Sequence, residues 1–222
     1  MIHDLVVLFD VDNTLVDNDT VQADMRDHLA SHYGPAARDR FFEIIEELRA
    51  SLGYVDYLGS LEKLRMEQMH DPRILRIASW LVDYPFAKRL YPSAIDVVHH
   101  AATTGRTVVL SDGDAVFQPR KVERSGLWEA FHNNVLIFVH KEEELAVVEQ
   151  FYPAKHYVLV DDKLRILTAV KRVWGQKVTT VFVRQGHYAT DTKAIAALPP
   201  ADITIDRIAD LLTFDLASCR PG

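Results

Sequence analysis

The stretch Leu5-Val6-Val7-Leu8-Phe9-Asp10-Val11-Asp12-Asn13-Thr14 decides how this chain is read. An apolar run that ends abruptly in carboxylates reads as a buried parallel strand carrying charge to the rim of a sheet, where open α/β proteins keep their ligands. If the strand continued, Asp10 and Asp12 would share a face, because side chains alternate along a strand. Two like charges in one small space call for a proton or a cation. A divalent metal held by oxygen ligands answers that demand, and Mg²⁺ with a substrate phosphate is the commonest such arrangement. On these residues alone a polar strand end is the alternative, with Asp12-Asn13 turning the chain and Asp10 capping the turn.

Beyond Thr14, Leu15 to Thr20 forms a polar turn ending in helix-capping residues. Val21 to about His32, Ala36 to about Ala50, Leu61 to Met69 and Ile74 to about Val82 then carry apolar residues at helical spacing, and Gly34-Pro35 stops the first of them. Nothing between Asp17 and Tyr84 alternates like a strand. The pattern predicts an all-helical insertion of about seventy residues, long enough for a small bundle over the rim of the sheet. Ser93 then reads as the N-cap of a helix that ends at Gly105. Apolar runs follow at Thr107–Leu110, Val135–Val139, Tyr157–Val160 and near Val178–Val183, separated by helical stretches, with a last strand-helix pair from Ile203 to Leu212. Strands alternating with helices predict an α/β fold built on a doubly wound parallel sheet. The expected organisation is an α/β core of residues 1–16 and 90–222, with residues 17–89 as an inserted helical cap domain.

Composition narrows the function. With 222 residues and 48% hydrophobic content the chain can bury a core, and a formal charge of -7 with no lysine- or arginine-rich block argues against nucleic acid as a partner. No apolar stretch approaches bilayer length, and the first strand begins too early to leave room for a signal peptide, so a cytoplasmic protein with no membrane partner is expected. Its one cysteine, Cys219, rules out a disulfide framework or a cysteine zinc site within one chain. The sequence leaves oligomeric state open.

The segment Asp10-Val11-Asp12-Asn13-Thr14 resembles the first motif, D-x-D-x-T, of the haloacid dehalogenase-like (HAD) hydrolase superfamily. The rest of the chain repeats that family's order: acid pair, Ser111, Lys141, then the second acid pair Asp161-Asp162. The resemblance implies that Asp10 is a nucleophile and Asp12 a general acid/base, as in the phosphatase branch. It implies that Ser111 and the backbone N–H groups of Asp112 and Gly113 hold the substrate phosphate. Lys141 would add positive charge and restrain Asp10, while Asp10, Asp162, the carbonyl of Asp12, and Asp161 beside them surround Mg²⁺. A helical cap between the first and second motifs is also a family feature. The chain departs from the common pattern in two places: Ile166 stands where a further acid often follows the Gly-Asp form of the fourth motif, and Lys141 lacks its usual following proline. Arg120 and Lys121 are rival cations. The loop Gly53-Tyr54-Val55-Asp56-Tyr57-Leu58-Gly59 is a candidate for substrate contact, whereas Arg184-Gln185-Gly186-His187-Tyr188 reads as a surface loop. The expected function is Mg²⁺-dependent hydrolysis of a small phosphorylated metabolite. Carbon-halogen cleavage is the alternative within the superfamily, and a phosphate-binding regulatory module is the alternative outside enzymes.

Overall fold

The computed structural model describes residues 2–219. The first strand, β1 (His3–Phe9), is followed by four helices, α1 (Asn18–Tyr33), α2 (Pro35–Leu52), α3 (Tyr57–Glu67) and α4 (Leu75–Asp83), with no strand among them. Then come α5 (Ala94–Ala102), β2 (Arg106–Asp112), α6 (Phe117–Arg124), the single turn α7 (Leu127–Ala130) and β3 (Val135–Phe138). The chain finishes with α8 (Leu145–Phe151), β4 (Ala154–Asp161), α9 (Leu164–Trp174), β5 (Val178–Val183), α10 (Thr192–Ala196) and β6 (Ile203–Ile205). All six strands pair in parallel, in the order β3-β2-β1-β4-β5-β6. No helix among the described residues is long and apolar enough to cross a membrane.

Period-two alternation in β1 sorts the core. Leu5, Val7 and Phe9 point into a cluster shared with Val109, Val158 and Val160, whereas Val6 and Leu8 join Val108, Leu110 and Leu159 on the other face. Both faces are covered, which is why these strands read as continuous apolar runs. The first cluster extends without a break into Met25, Phe41, Ile44 and Leu64 of the inserted helices, so that insertion is packed onto one layer of the α/β sandwich.

The insertion leaves and rejoins the sheet at one place. Val16 bridges Leu90, the N–H of Asp17 donates to Arg89 O (2.7 Å), and that of Tyr91 donates to Leu15 O (2.9 Å). Helix α1 begins three residues before the apolar pattern does, because Asp17 caps it, accepting from the N–H of Thr20 (2.9 Å). Ser93 does not cap α5 with its side chain; it sits at φ 62° in the left-handed region instead. After β6 the chain forms a 3₁₀ segment, Ile208–Thr213, rather than an α-helix.

Candidate active site

The order of the strands places β1 between β2 and β4, with the connections diverging from there, so the crevice at their carboxyl ends is the topological switch point of the sheet. Register keeps those ends level: Phe9 pairs with Val109 on one side and with Val160 on the other. Asp10, Ser111 and Asp161 therefore reach a common rim.

Lys141 joins them from the loop after β3. Its Nζ donates to Asp10 Oδ1 (2.6 Å) and to Leu110 O (3.2 Å), and it is ion-paired with Asp161 Oδ2 (2.7 Å). The lysine is fully buried. Burial alone would lower its pKa, yet the carboxylates of Asp10, Asp161 and Asp112 outweigh that and hold it above the ordinary lysine value. Asp112 contributes its side chain to this arrangement. Its carboxylate accepts from the N–H of Lys141 (2.8 Å), which orders the loop that delivers that lysine. Gly113 requires a correction as a phosphate donor: its N–H is engaged with Phe138 O (2.9 Å), because pairing of β2 with β3 runs past Ser111. Gly113 does line the cavity, at a spot where a Cβ would collide with Gln118.

The second acid pair divides its labour. Asp161 is tied to Lys141 and accepts from the N–H of Lys163 (2.8 Å). Asp162 is buried with neither carboxylate oxygen hydrogen-bonded. Asp10, Asp161 and Asp162 each offer an oxygen within 4.8 Å of the others. Burial, and then the neighbouring Asp161 and Asp10, push the Asp162 carboxyl well above the usual range. Two orphaned buried oxygens beside two more carboxylates fit a hard divalent cation, whose preferred ligands are oxygens.

Asp12 occupies a different environment. Lys121 Nζ donates to Asp12 Oδ1 (2.5 Å) and to Asn18 Oδ1 (3.0 Å), and Gln118 Nε2 donates to Ser111 Oγ (3.0 Å) while standing 3.5 Å from Asp12 Oδ2. Gln118 and Lys121 are one turn apart on α6 and so share its inner face. Among the described residues, Lys121 and Lys141 are thus both buried, each on its own aspartate. Lys141 faces Asp10 and Lys121 faces Asp12, whereas Arg120 turns to Val82 O and Glu123. A charged pair behind a helix-starting proline looks solvated in a sequence, and the inward phase of α6 that buries Lys121 is visible only once Phe117 and Val122 are seen in the core.

Two loops complete the site. Asn13 sits at φ 58°, and its side-chain oxygen accepts from the N–H groups of Asn18 (3.0 Å) and Asp19 (3.2 Å), tying the end of the first motif to the start of α1. The segment after β5, read from sequence as a surface loop, rims the site. Gln185 Nε2 donates to Asn13 O (3.3 Å) and Thr14 O (3.1 Å), and His187 binds Asp19 through both its N–H (2.8 Å) and Nδ1 (2.6 Å). Above these groups lies a cavity of about 530 Å³, lined by Asp12, Tyr57, Phe42, Arg49, Tyr188 and Lys163 among others. Tyr54, Val55 and Tyr57 of the candidate substrate loop border it, although Tyr57 to Gly59 belong to α3. Lys163 is the residue the sequence reading missed entirely; it directly follows the acid pair.

Comparison with known proteins agrees with this layout. Residues 7–183 match the family of haloacid dehalogenase-like hydrolases. A haloacid dehalogenase-like hydrolase from Burkholderia xenovorans LB400 is 56% identical, with 96% of this chain and 99% of that one covered and a TM-score of 0.91. The L-2-haloacid dehalogenase of Xanthobacter autotrophicus (21% identity, 96% and 98% covered, TM-score 0.62) and a HAD-hydrolase of Bacillus subtilis bound to magnesium (15%, 95% and 97%, 0.62) share the fold. A comparison with curated proteins finds no match. With its first acid motif at the switch point and a family match across most of its length, the chain belongs to the haloacid dehalogenase-like hydrolase family.

Proposed function

We propose that this hydrolase cleaves phosphomonoesters of small soluble metabolites, through an aspartyl phosphate (an acyl phosphate) on Asp10, beneath a helical cap formed by residues 17–89. The observation that carries this reading is Asp162, whose two buried oxygens lack partners beside Asp10 and Asp161. These carboxylates would hold Mg²⁺, which when bound supplies positive charge to the transferring phosphoryl group. Lys141 aligns the Asp10 carboxylate. One Asp10 oxygen attacks phosphorus, the bond to the ester oxygen breaks, and Asp12 gives that oxygen a proton, so the alcohol leaves neutral. Asp12 then takes a proton from water, whose oxygen attacks the phosphorus of the aspartyl phosphate and breaks its bond to the Asp10 oxygen. Phosphate leaves, Asp10 is restored as a carboxylate and Asp12 as the protonated acid that opened the cycle. Ser111, 3.5 Å from Asp10 Oδ1 and held by Gln118, would donate to a phosphoryl oxygen.

A second reading has Asp10 attack carbon and expel halide. Its support is the shared fold with L-2-haloacid dehalogenases of Xanthobacter autotrophicus, over 96% of this chain, and the same nucleophile-lysine pairing needed for either ester. One experiment separates the two: phosphate release from a panel of phosphate esters and halide release from 2-haloacids, each with Mg²⁺ and with excess chelator. Phosphate release that vanishes in chelator and returns with Mg²⁺ is expected. Halide release undiminished by chelator, with no ester turned over, would replace the first reading by the second.

A further inference from the structure

We propose that Lys163 is a third cation of the site, one that binds the non-bridging oxygens of the phosphoryl group being transferred; the inference rests on the phosphatase reading above. Three lysines meet the catalytic carboxylates, and two are already committed. Lys141 is spent on Asp10, Asp161 and Leu110 O, and Lys121 on Asp12 and Asn18. Among the described residues, Lys163 alone of the three makes no ion pair; its Nζ lies 5.1 Å from the centre of the Tyr188 ring, on the wall of the cavity. Its backbone is fixed at the start of α9 by the bond from its N–H to Asp161, so the side chain springs from a rigid point next to Asp162.

Charge balance says what that ammonium is for. Asp10, Asp112, Asp161 and Asp162 bring four negative charges, with Asp12 carrying the proton it donates, and Lys121, Lys141 and one divalent cation would neutralise them. An incoming phosphate ester then adds up to two more, in a space with low effective dielectric and no further committed cation. Lys163 directly follows Asp162 in the chain and lines the same cavity as Asp12 and Gln118. A compact ammonium on a flexible stem suits a tetrahedral group whose oxygens move during transfer.

The test uses Lys163→Gln and Lys163→Arg in the full chain, with inorganic phosphate as the probe. Inhibition of aryl phosphate turnover by phosphate, at saturating Mg²⁺, reports anion binding, and the Mg²⁺-induced rise in melting temperature without phosphate reports the metal. Lys163→Gln is expected to weaken phosphate binding by about ten- to a hundredfold, as for loss of a charge-assisted hydrogen bond. It should also lower the Mg²⁺ concentration needed for the thermal shift, because a positive charge beside Asp10 and Asp162 is gone; Lys163→Arg should keep most of the phosphate affinity. A merely structural lysine would not move the two ligands in opposite directions. Unchanged phosphate inhibition in Lys163→Gln, or loss of phosphate and Mg²⁺ binding together, overturns the proposal while leaving the phosphatase reading standing. A wild-type protein that neither releases nor binds phosphate overturns both.

Discussion

At the scale of single residues the site is a balance of buried charge, and Lys141 is its pivot. Removing one partner of a buried, paired set leaves the others uncompensated, which typically costs about 3–5 kcal/mol. Lys141→Ala is therefore expected to lower the free energy of unfolding in urea by about that much without metal. Part of the loss should return on adding Mg²⁺, since a cation neutralises the same carboxylates. Full loss with no recovery would mean that the acid cluster does not take a cation. Asp10, Ser111, Lys141 and Asp161-Asp162 were legible in sequence because each follows an apolar run, and a buried strand declares where it ends. Lys121 and Lys163 were not, because each lies on or at the start of a helix, where the buried face depends on packing against elements far away in the chain. The engaged N–H of Gly113 was equally invisible: which donors a turn leaves free depends on how far the neighbouring strand keeps pairing.

At the scale of elements, the loop after β5 is a buttress for the first motif. Gly186 has φ 71°, and a Cβ there would come within 2.5 Å of the Asn13 side chain, so no residue larger than glycine fits without displacing Asn13. Gly186→Ala is expected to cost about 1–3 kcal/mol and to slow turnover as well, by shifting Asn13 and the start of α1. Gly34→Ala is the control: its φ is 91°, but nothing lies within 4 Å, so it should cost stability without touching kcat. If the two variants behaved alike in turnover, the loop would have no role at the site. Strand β4 makes a separate prediction. His156 is buried, its Nδ1 has no partner, and burial holds its imidazole below the ordinary histidine value. The unfolded chain therefore takes up the proton first as pH falls, and stability should decline below about pH 6.5 and level off once the folded state is also protonated. His156→Gln should flatten that limb of a pH series of urea midpoints; an unchanged slope would place the dependence elsewhere. Element boundaries shifted from the sequence reading where side chains intervened, as when Asp17 started α1 early, while the five apolar runs from Leu5 to Val183 all became strands, four of them buried and β3 half-buried at the edge of the sheet.

At the scale of the whole molecule, the sheet holds the reactive groups and the inserted helices roof them. The two parts touch around the cavity: Arg49 Nη2 donates to Tyr188 Oη (2.8 Å), Tyr57 packs on Phe117 with ring centres 4.7 Å apart, and Gly53 lies against His140. Among the described residues, the paired segments at Val16 and Leu90 connect them through the backbone, where the proposed cap would hinge as a lid. Arg49→Ala removes one exposed clasp, so it should raise KM while leaving the urea midpoint almost unchanged; a large loss of stability instead would mean that this contact holds the fold rather than the lid. Sheet and insertion were both legible from apolar periodicity, but the cavity was not, because it exists only where two packed parts fail to meet. The central claim is that Asp10 carries a phosphoryl group. Its most direct test is mass spectrometry of the Asp12→Ala protein after mixing with an aryl phosphate and Mg²⁺. Such an ester has a good leaving group, so the first step needs little acid help, whereas the second loses a general base that typically contributes about a hundred- to ten-thousandfold. A phosphoryl group on the Asp10 peptide is expected, absent in excess chelator and absent in Asp10→Asn; an unmodified Asp10, or an ester formed there from a 2-haloacid without metal, would rule out phosphoryl transfer through Asp10.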